Sequence, residues 1–258
     1  MRGSTNDRQP FRWQPNRVGL LLSCLFVPLL LWLGYWQLDR AELKLRILSQ
    51  YQTNQAAPRV ELGQLTDSVN LQYRRVWVEG SYQLVPTFVV DNKVRNGRPG
   101  YEILQIFVPS NGGAALLVNR GWVAAAADRG TLPQLDTPTG LVRLEGELYQ
   151  RLAGGLQLDD RVAPPLAAQQ RVGWLDVGRV EQWLQQPLYR YQLRLDRAAP
   201  GALQTGWPVV AIYPHKHTGY AVQWFIMAAV LLLLTLLANS NLLAWLRARR
   251  QRGPIDND

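Results

Sequence analysis

The chain has 258 residues, with 28 Lys and Arg against 19 Asp and Glu, a formal charge of +9. That length allows one domain, with or without membrane spans. One cysteine and two histidines exclude a disulfide scaffold, CxxC redox chemistry, a paired-cysteine copper site and a zinc cage.

Residues 1–17 form a basic arm, with Arg2, Arg8, Arg12 and Arg17 against Asp7. Val18 to Leu38 then runs without a charge, and at ~1.5 Å per residue it spans roughly 30 Å, a bilayer's hydrocarbon core. A cleaved signal peptide is the other reading, with those arginines as its n-region. The apolar part exceeds the usual ~7–15 residues, and Tyr35-Trp36-Gln37-Leu38 has no small-x-small cleavage site, so an uncleaved anchor is expected. Trp32, Tyr35 and Trp36 share one face at its outer end, the pattern of an aromatic belt. Pro28 is expected to kink the helix, and Gly34 to let another helix approach. Asp39 to Gln55 carries Leu43, Ile47, Leu48 and Tyr51 at helical spacing, an amphipathic continuation up to Pro58.

From Arg74 the period changes to two. Val76, Val78 and Gly80 alternate with Trp77, Glu79 and Ser81. Phe88–Val90 and Ile103–Val108 read as strands joined through Asp91-Asn92 and a polar loop. Asn111-Gly112-Gly113 marks a turn before the strand Ala114–Val118, and Gly121 marks a bulge. Leu141–Tyr149 and Leu188–Leu195 read as strands, and Val209–Tyr213 as a last one. Asp159–Gln170 is irregular, and Asp176–Gln185 is helical up to Pro187. The expected fold is a membrane protein of the α+β class. Two transmembrane helices, residues 18–38 and 219–238, flank a mainly antiparallel, barrel-like domain with minor helices at residues 39–218.

Residues 239–258 form a second basic flank with Arg247, Arg249, Arg250 and Arg252. Basic flanks belong in the cytoplasm, so both ends are expected there and residues 39–218 on the opposite side. Arg40, Lys44 and Arg46 weaken that bias. Anionic lipid accounts for the flanking arginines. The middle keeps 20 basic and 16 acidic residues of alternating sign, which gives nucleic acid no basic stripe to bind.

Hydrolytic catalysis has no Gly-x-Ser-x-Gly elbow and no histidine outside the pair His215 and His217. Asp159-Asp160 reads as a solvated turn, and Glu145 and Glu147, on one strand face, as partners of arginines on neighbouring strands. The two histidines sit at a lipid boundary. In an extended segment they would point the same way and could clip a copper or zinc ion. They also fit interface residues, or an axial haem ligand among aromatic neighbours, with Tyr220 and Trp224 one and two turns beyond His217.

Leu33-Gly34-Tyr35-Trp36-Gln37-Leu38-Asp39-Arg40, with Lys44 following, resembles the end of the first membrane helix in the surfeit locus protein 1 family. Tyr73-Arg74-Arg75-Val76, Asp91-Asn92, Gly100-Tyr101, Val118-Asn119-Arg120-Gly121-Trp122-Val123 and His217-x-Gly219-Tyr220-Ala221-x-Gln223-Trp224-Phe225 follow in the family's order. Ala124 stands where the family has proline and Lys93 where arginine is common; residues 154–202 match poorly. The resemblance implies a non-enzymatic cytochrome c oxidase assembly factor of the bacterial inner membrane, its middle periplasmic. It implies haem a as cofactor, delivered or inserted into oxidase subunit I, with other assembly or haem a synthesis proteins as partners. It maps the haem ligand onto His217 and leaves His215 without a counterpart; Trp36, Gln37, Tyr220 and Trp224 are the pocket residues expected around it. A scaffold that binds no haem is the alternative, with a periplasmic copper carrier behind it.

Overall fold

The structure, a computed structural model, describes residues 11–65, 70–128, 130–151 and 164–250. Asp159-Asp160, Arg2, Asp7, Arg8 and Arg252 lie outside those residues. In chain order the elements are α1 (Arg17–Ala56), β1 (Val60–Glu61), a 3-10 turn (Leu62–Gln64), β2 (Arg75–Val90), β3 (Gly100–Pro109), β4 (Leu116–Ala124), β5 (Val142–Tyr149), β6 (Gln169–Val172), α2 (Val177–Leu184), β7 (Gln192–Leu195), α3 (Pro214–Ala238) and α4 (Leu242–Arg250). They divide into two units, Met1–Arg46 with Val210–Asp258, and Ile47–Val209.

In the first unit both apolar runs coil, which satisfies every backbone group within the segment. The helix α1 is 40 residues long. It continues through Pro28 and takes in the whole amphipathic stretch, ending two residues before Pro58. Asn16 caps its start, accepting from the amides of Val18 at 3.1 Å and Gly19 at 3.2 Å. The helix α3 runs antiparallel to it. Ser23 meets Thr235 through their hydroxyls, Gly34 faces Phe225, and Gln37 meets His217. Gly34 is needed there, because a Cβ would lie 2.5 Å from the Phe225 ring. At the far end the amide of Gln14 donates to the carbonyl of Asn239 at 2.7 Å, and Arg12 to the Asn241 side chain at 2.7 Å. Both flanks of the pair therefore sit at one end. Both helices are long and apolar enough to cross a membrane, and only 11% of each apolar window is buried, unlike the core helices of a soluble protein.

The second unit is a seven-stranded mixed sheet. Antiparallel ladders join β2 to β3, β3 to β4, β5 to β7 and β2 to β5. Three short pairings are parallel, β1 with β2, β6 with β2 and β4 with β7, so the sheet is mixed, with its long ladders antiparallel as expected. The path β2–β3–β4–β7–β5 returns to β2. The segments Val76–Ser81 and Phe88–Val90 are one strand. Its register slips between Gln83 and Thr87, and that irregularity re-aims the strand so its first half pairs β5 and its second half β6. Apolar side chains from alternating positions fill one cluster around Val76, Val78, Phe107, Leu144 and Leu193. Another lies beneath α2, around Phe88, Ile106, Leu117 and Val180.

The short helix α2 starts as its sequence predicts, with the Asp176 carboxylate accepting from the Arg179 amide at 2.9 Å. Gln185 ends it in the left-handed region ahead of Pro187. The expected strand Val209–Tyr213 does not form. An alternating pattern becomes a strand only with an edge to pair against, and here the chain runs unpaired into Pro214, the first residue of α3.

Candidate functional site

The start of α3 sets the geometry around both histidines. Pro214 occupies the first helical position, where its missing N–H leaves no bond unmade, and Tyr213 is the extended residue before it. His215 and His217 therefore lie in the first turn of a helix rather than in an extended segment. Two residues subtend roughly 200° on a helix, so the imidazoles face opposite sides and the two-histidine clip is excluded. Among the described residues no three of His, Cys, Asp and Glu gather as a metal cage. His215 is exposed, and its ring stacks on Tyr213 at 6.0 Å with a 17° interplanar angle.

His217 turns toward α1. Its Nδ1 lies 2.8 Å from Gln37 Oε1, and its Nε2 is buried with no hydrogen-bond partner. Gln37 is three residues past Gly34, hence on the same face of α1. The close approach that Gly34 permits at Phe225 thus helps to bring the two polar groups within reach, and Tyr35 packs edge-on against Phe225 at 5.4 Å. With Oε1 as acceptor, Nδ1 carries the proton and donates it, leaving the Nε2 lone pair free in the ring plane. A ligating histidine is held in the same way, its second nitrogen fixed by an outer partner. A buried acceptor left unsatisfied costs about 1–3 kcal/mol, so its retention requires an explanation.

The structure brings His217 and Gln37 together, while the other expected pocket residues are near them only along their own helices. Trp36 is 40% exposed, with the Arg40 guanidinium 5.4 Å from its ring. Tyr220 is exposed and Trp224 half-buried; at three and seven residues past His217 they share its broad face of α3.

In the second unit the Asn119-Arg120-Gly121-Trp122 stretch, expected to close a strand, lies buried within β4. Ile103 pairs with Gly121 and Leu104 with Asn119, which makes Arg120 the extra residue of a bulge. Gly121 supplies the required φ of +126°, and a Cβ there would lie 2.9 Å from Gln204 O. The bulge turns Arg120 inward. Its side chain donates to Gly201 O at 2.6 Å and to Gln105 Oε1 and Thr137 Oγ1 at 2.7 Å each, and also to Asp136 O. Burial pushes the Arg120 pKa down and the Tyr82 pKa, beside it, up. This is a brace between loops, and no carboxylate neutralises it through those bonds.

Of the strand glutamates, Glu147 pairs as expected with an arginine on a neighbouring strand, Arg194 at 3.9 Å, whereas Glu145 pairs with Arg59, just before β1, and with Arg143 of its own strand at 3.5 Å. Sequence reasoning missed that the Glu147–Arg194 pair is buried. Gln192-Leu193-Arg194-Leu195 alternates as a half-exposed strand would, yet the Arg194 side chain is only 11% exposed. Burial raises the Glu147 pKa from 4.5 to about 7, against the lowering effect of Arg194 and of the Gln55 hydrogen bond.

No curated protein matches the chain. The SURF1 family does match, over residues 24–229, a span that takes in the whole described sheet and both members of the Gln37–His217 pair. That match covers most of the chain, which therefore belongs to the SURF1 family.

Proposed function

We propose that the protein assists assembly of a haem-copper oxidase by holding haem a through His217 and helping its delivery to subunit I. The oxidase-assembly role rests on the family, which is known for it. The haem reading rests on one observation, the buried and unpartnered Nε2 of His217 opposite an Nδ1 bound to Gln37. Haem iron, when bound, accepts a lone pair from a histidine of this kind. Gln37 fixes the ring and its tautomer; Tyr220 and Trp224 offer apolar area along the same face, and Trp36 lies beside Gln37. A single protein ligand suits a carrier, since delivery requires release, and the role requires no bond-making by the protein.

The two apolar helices fit a membrane anchor, and the arginine flanks favour both ends in the cytoplasm with residues 39–218 periplasmic. The return of the strand path to β2 supports reading that domain as barrel-like. A haem-free scaffold that docked through the Asn119–Trp122 stretch would need that stretch at the surface, where it is not. The deciding experiment is the absorbance spectrum of protein purified from cells that make haem a. Wild type and His215→Ala are expected to carry a Soret band and His217→Ala to lose it. A His217→Ala protein with full haem and a His215→Ala protein without it would refute the assignment, and a wild type with no band would favour the scaffold.

A further inference from the structure

Within the sheet unit a cavity of about 160 Å³ lies among β3, β4, β5, β7 and the turn after β2. Its lining includes three cations, Lys93, Arg151 and Arg194, and one carboxylate, Glu102. Glu102 already accepts from the Asn119 amide at 3.1 Å, with Lys93 Nζ 3.9 Å away. Arg194 is held by its flat faces, its guanidinium carbon 3.2 Å from the Tyr149 ring centre and 4.8 Å from that of Trp207. Its Nε donor is spare. The guanidinium makes no hydrogen bond among the described residues, its Nε is buried without a partner, and the Glu147 carboxylate stands off at 3.9 Å.

A buried guanidinium that stacks well, with Nε unpartnered and its ion pair no closer than 3.9 Å, is costly unless something fills its fork. Both carboxylates that face Arg194 are engaged elsewhere: Glu102 accepts from Asn119 and lies near Lys93, and Gln55 Nε2 holds Glu147 at 2.7 Å, where burial raises the carboxyl pKa to about 7. The cationic excess of the lining calls for an anion, and the planar fork of Arg194 matches two oxygens of one group. We propose that this cavity binds a small oxyanion, a carboxylate or a phosphate group, through Arg194, with Lys93 and Arg151 completing the charge. The inference does not depend on His217, and its test does not involve haem.

The test uses full-length protein in detergent, with the thermal unfolding midpoint followed against potassium phosphate or potassium acetate and against potassium chloride of equal ionic strength. Anything that binds the folded state alone raises the midpoint. A saturable rise with phosphate, acetate or both, absent with chloride, is expected, and the salt that saturates identifies the group recognised. Lys93→Met and Arg151→Met should each weaken the apparent affinity roughly tenfold, the value of one charge-assisted bond, and Arg194→Met should abolish the effect. Where Arg194→Met fails to fold, the other two variants decide. An equal rise in chloride, no rise at all, or wild-type affinity in both Lys93→Met and Arg151→Met overturns the proposal.

Discussion

Replacing Gln37 by leucine keeps the side chain close in size and removes the oxygen that Nδ1 of His217 meets at 2.8 Å. Outer partners of metal-bound histidines are typically worth ~10–100-fold in affinity. Gln37→Leu is therefore expected to weaken haem a binding by that order, read by titration of the Soret band, while Gln37→Glu keeps the acceptor and most of the affinity. Glu147 makes a different prediction. Its folded pKa of about 7 lies above the ordinary 4.5, with burial the main cause. Between those values the unfolded chain releases the proton while the folded chain keeps it, so stability falls as pH rises through the window, by about 3 kcal/mol in all. Glu147→Gln should flatten that slope in unfolding curves taken from pH 4 to pH 8. The single-residue signals were unequally legible. His217 was conspicuous because imidazole is scarce, but the opposite facing of His215 depended on where Pro214 starts the helix. Arg194 offered no signal, since alternation cannot tell a face that meets water from one enclosed by the neighbouring strands.

At the scale of elements, the two helices meet where Gly34 admits the Phe225 ring. Gly34→Leu is expected to lower the thermal unfolding midpoint, and adding Phe225→Ala should recover part of the loss, because the added volume then has space to enter. A failure of the second change to help would show that the helices do not pack there. Gly121→Val puts a β-branched side chain into the left-handed region and against the Gln204 backbone, and should destabilise by about 1–3 kcal/mol in chemical denaturation. Helix α2 and the bulge at Gly121 were readable because each is specified locally, by a capping carboxylate and by a residue without a Cβ. The long strand β2 was readable only in pieces. Gln83 to Pro86 interrupts its alternation, and what joins the pieces is the partner β3, which is remote in sequence. The parallel pairings of β6 and β7 were hidden for the same reason.

For the whole molecule, charge and hydropathy made the frame legible: two apolar runs, arginine at both outer flanks and a disulfide-free middle. They also yield a prediction of topology. A phosphatase reporter, active only outside the cytoplasm, should be active when inserted in the exposed Arg95–Arg98 turn and silent when fused after Asp258; the reverse pattern would invert the proposed orientation. A barrel-like sheet was expected, but which strands meet where the path returns to β2 was not legible, because β5 meets β2 and β7 across long intervals of chain. The Gln37–His217 bond spans the longest interval of functional interest, 180 residues. Chains emerge from the ribosome amino end first. Gln37 is thus made before any of the sheet, and His217 only after all of it. An unfinished chain therefore cannot assemble the pair, so under the proposed function order of synthesis alone would keep half-built copies from competing for haem.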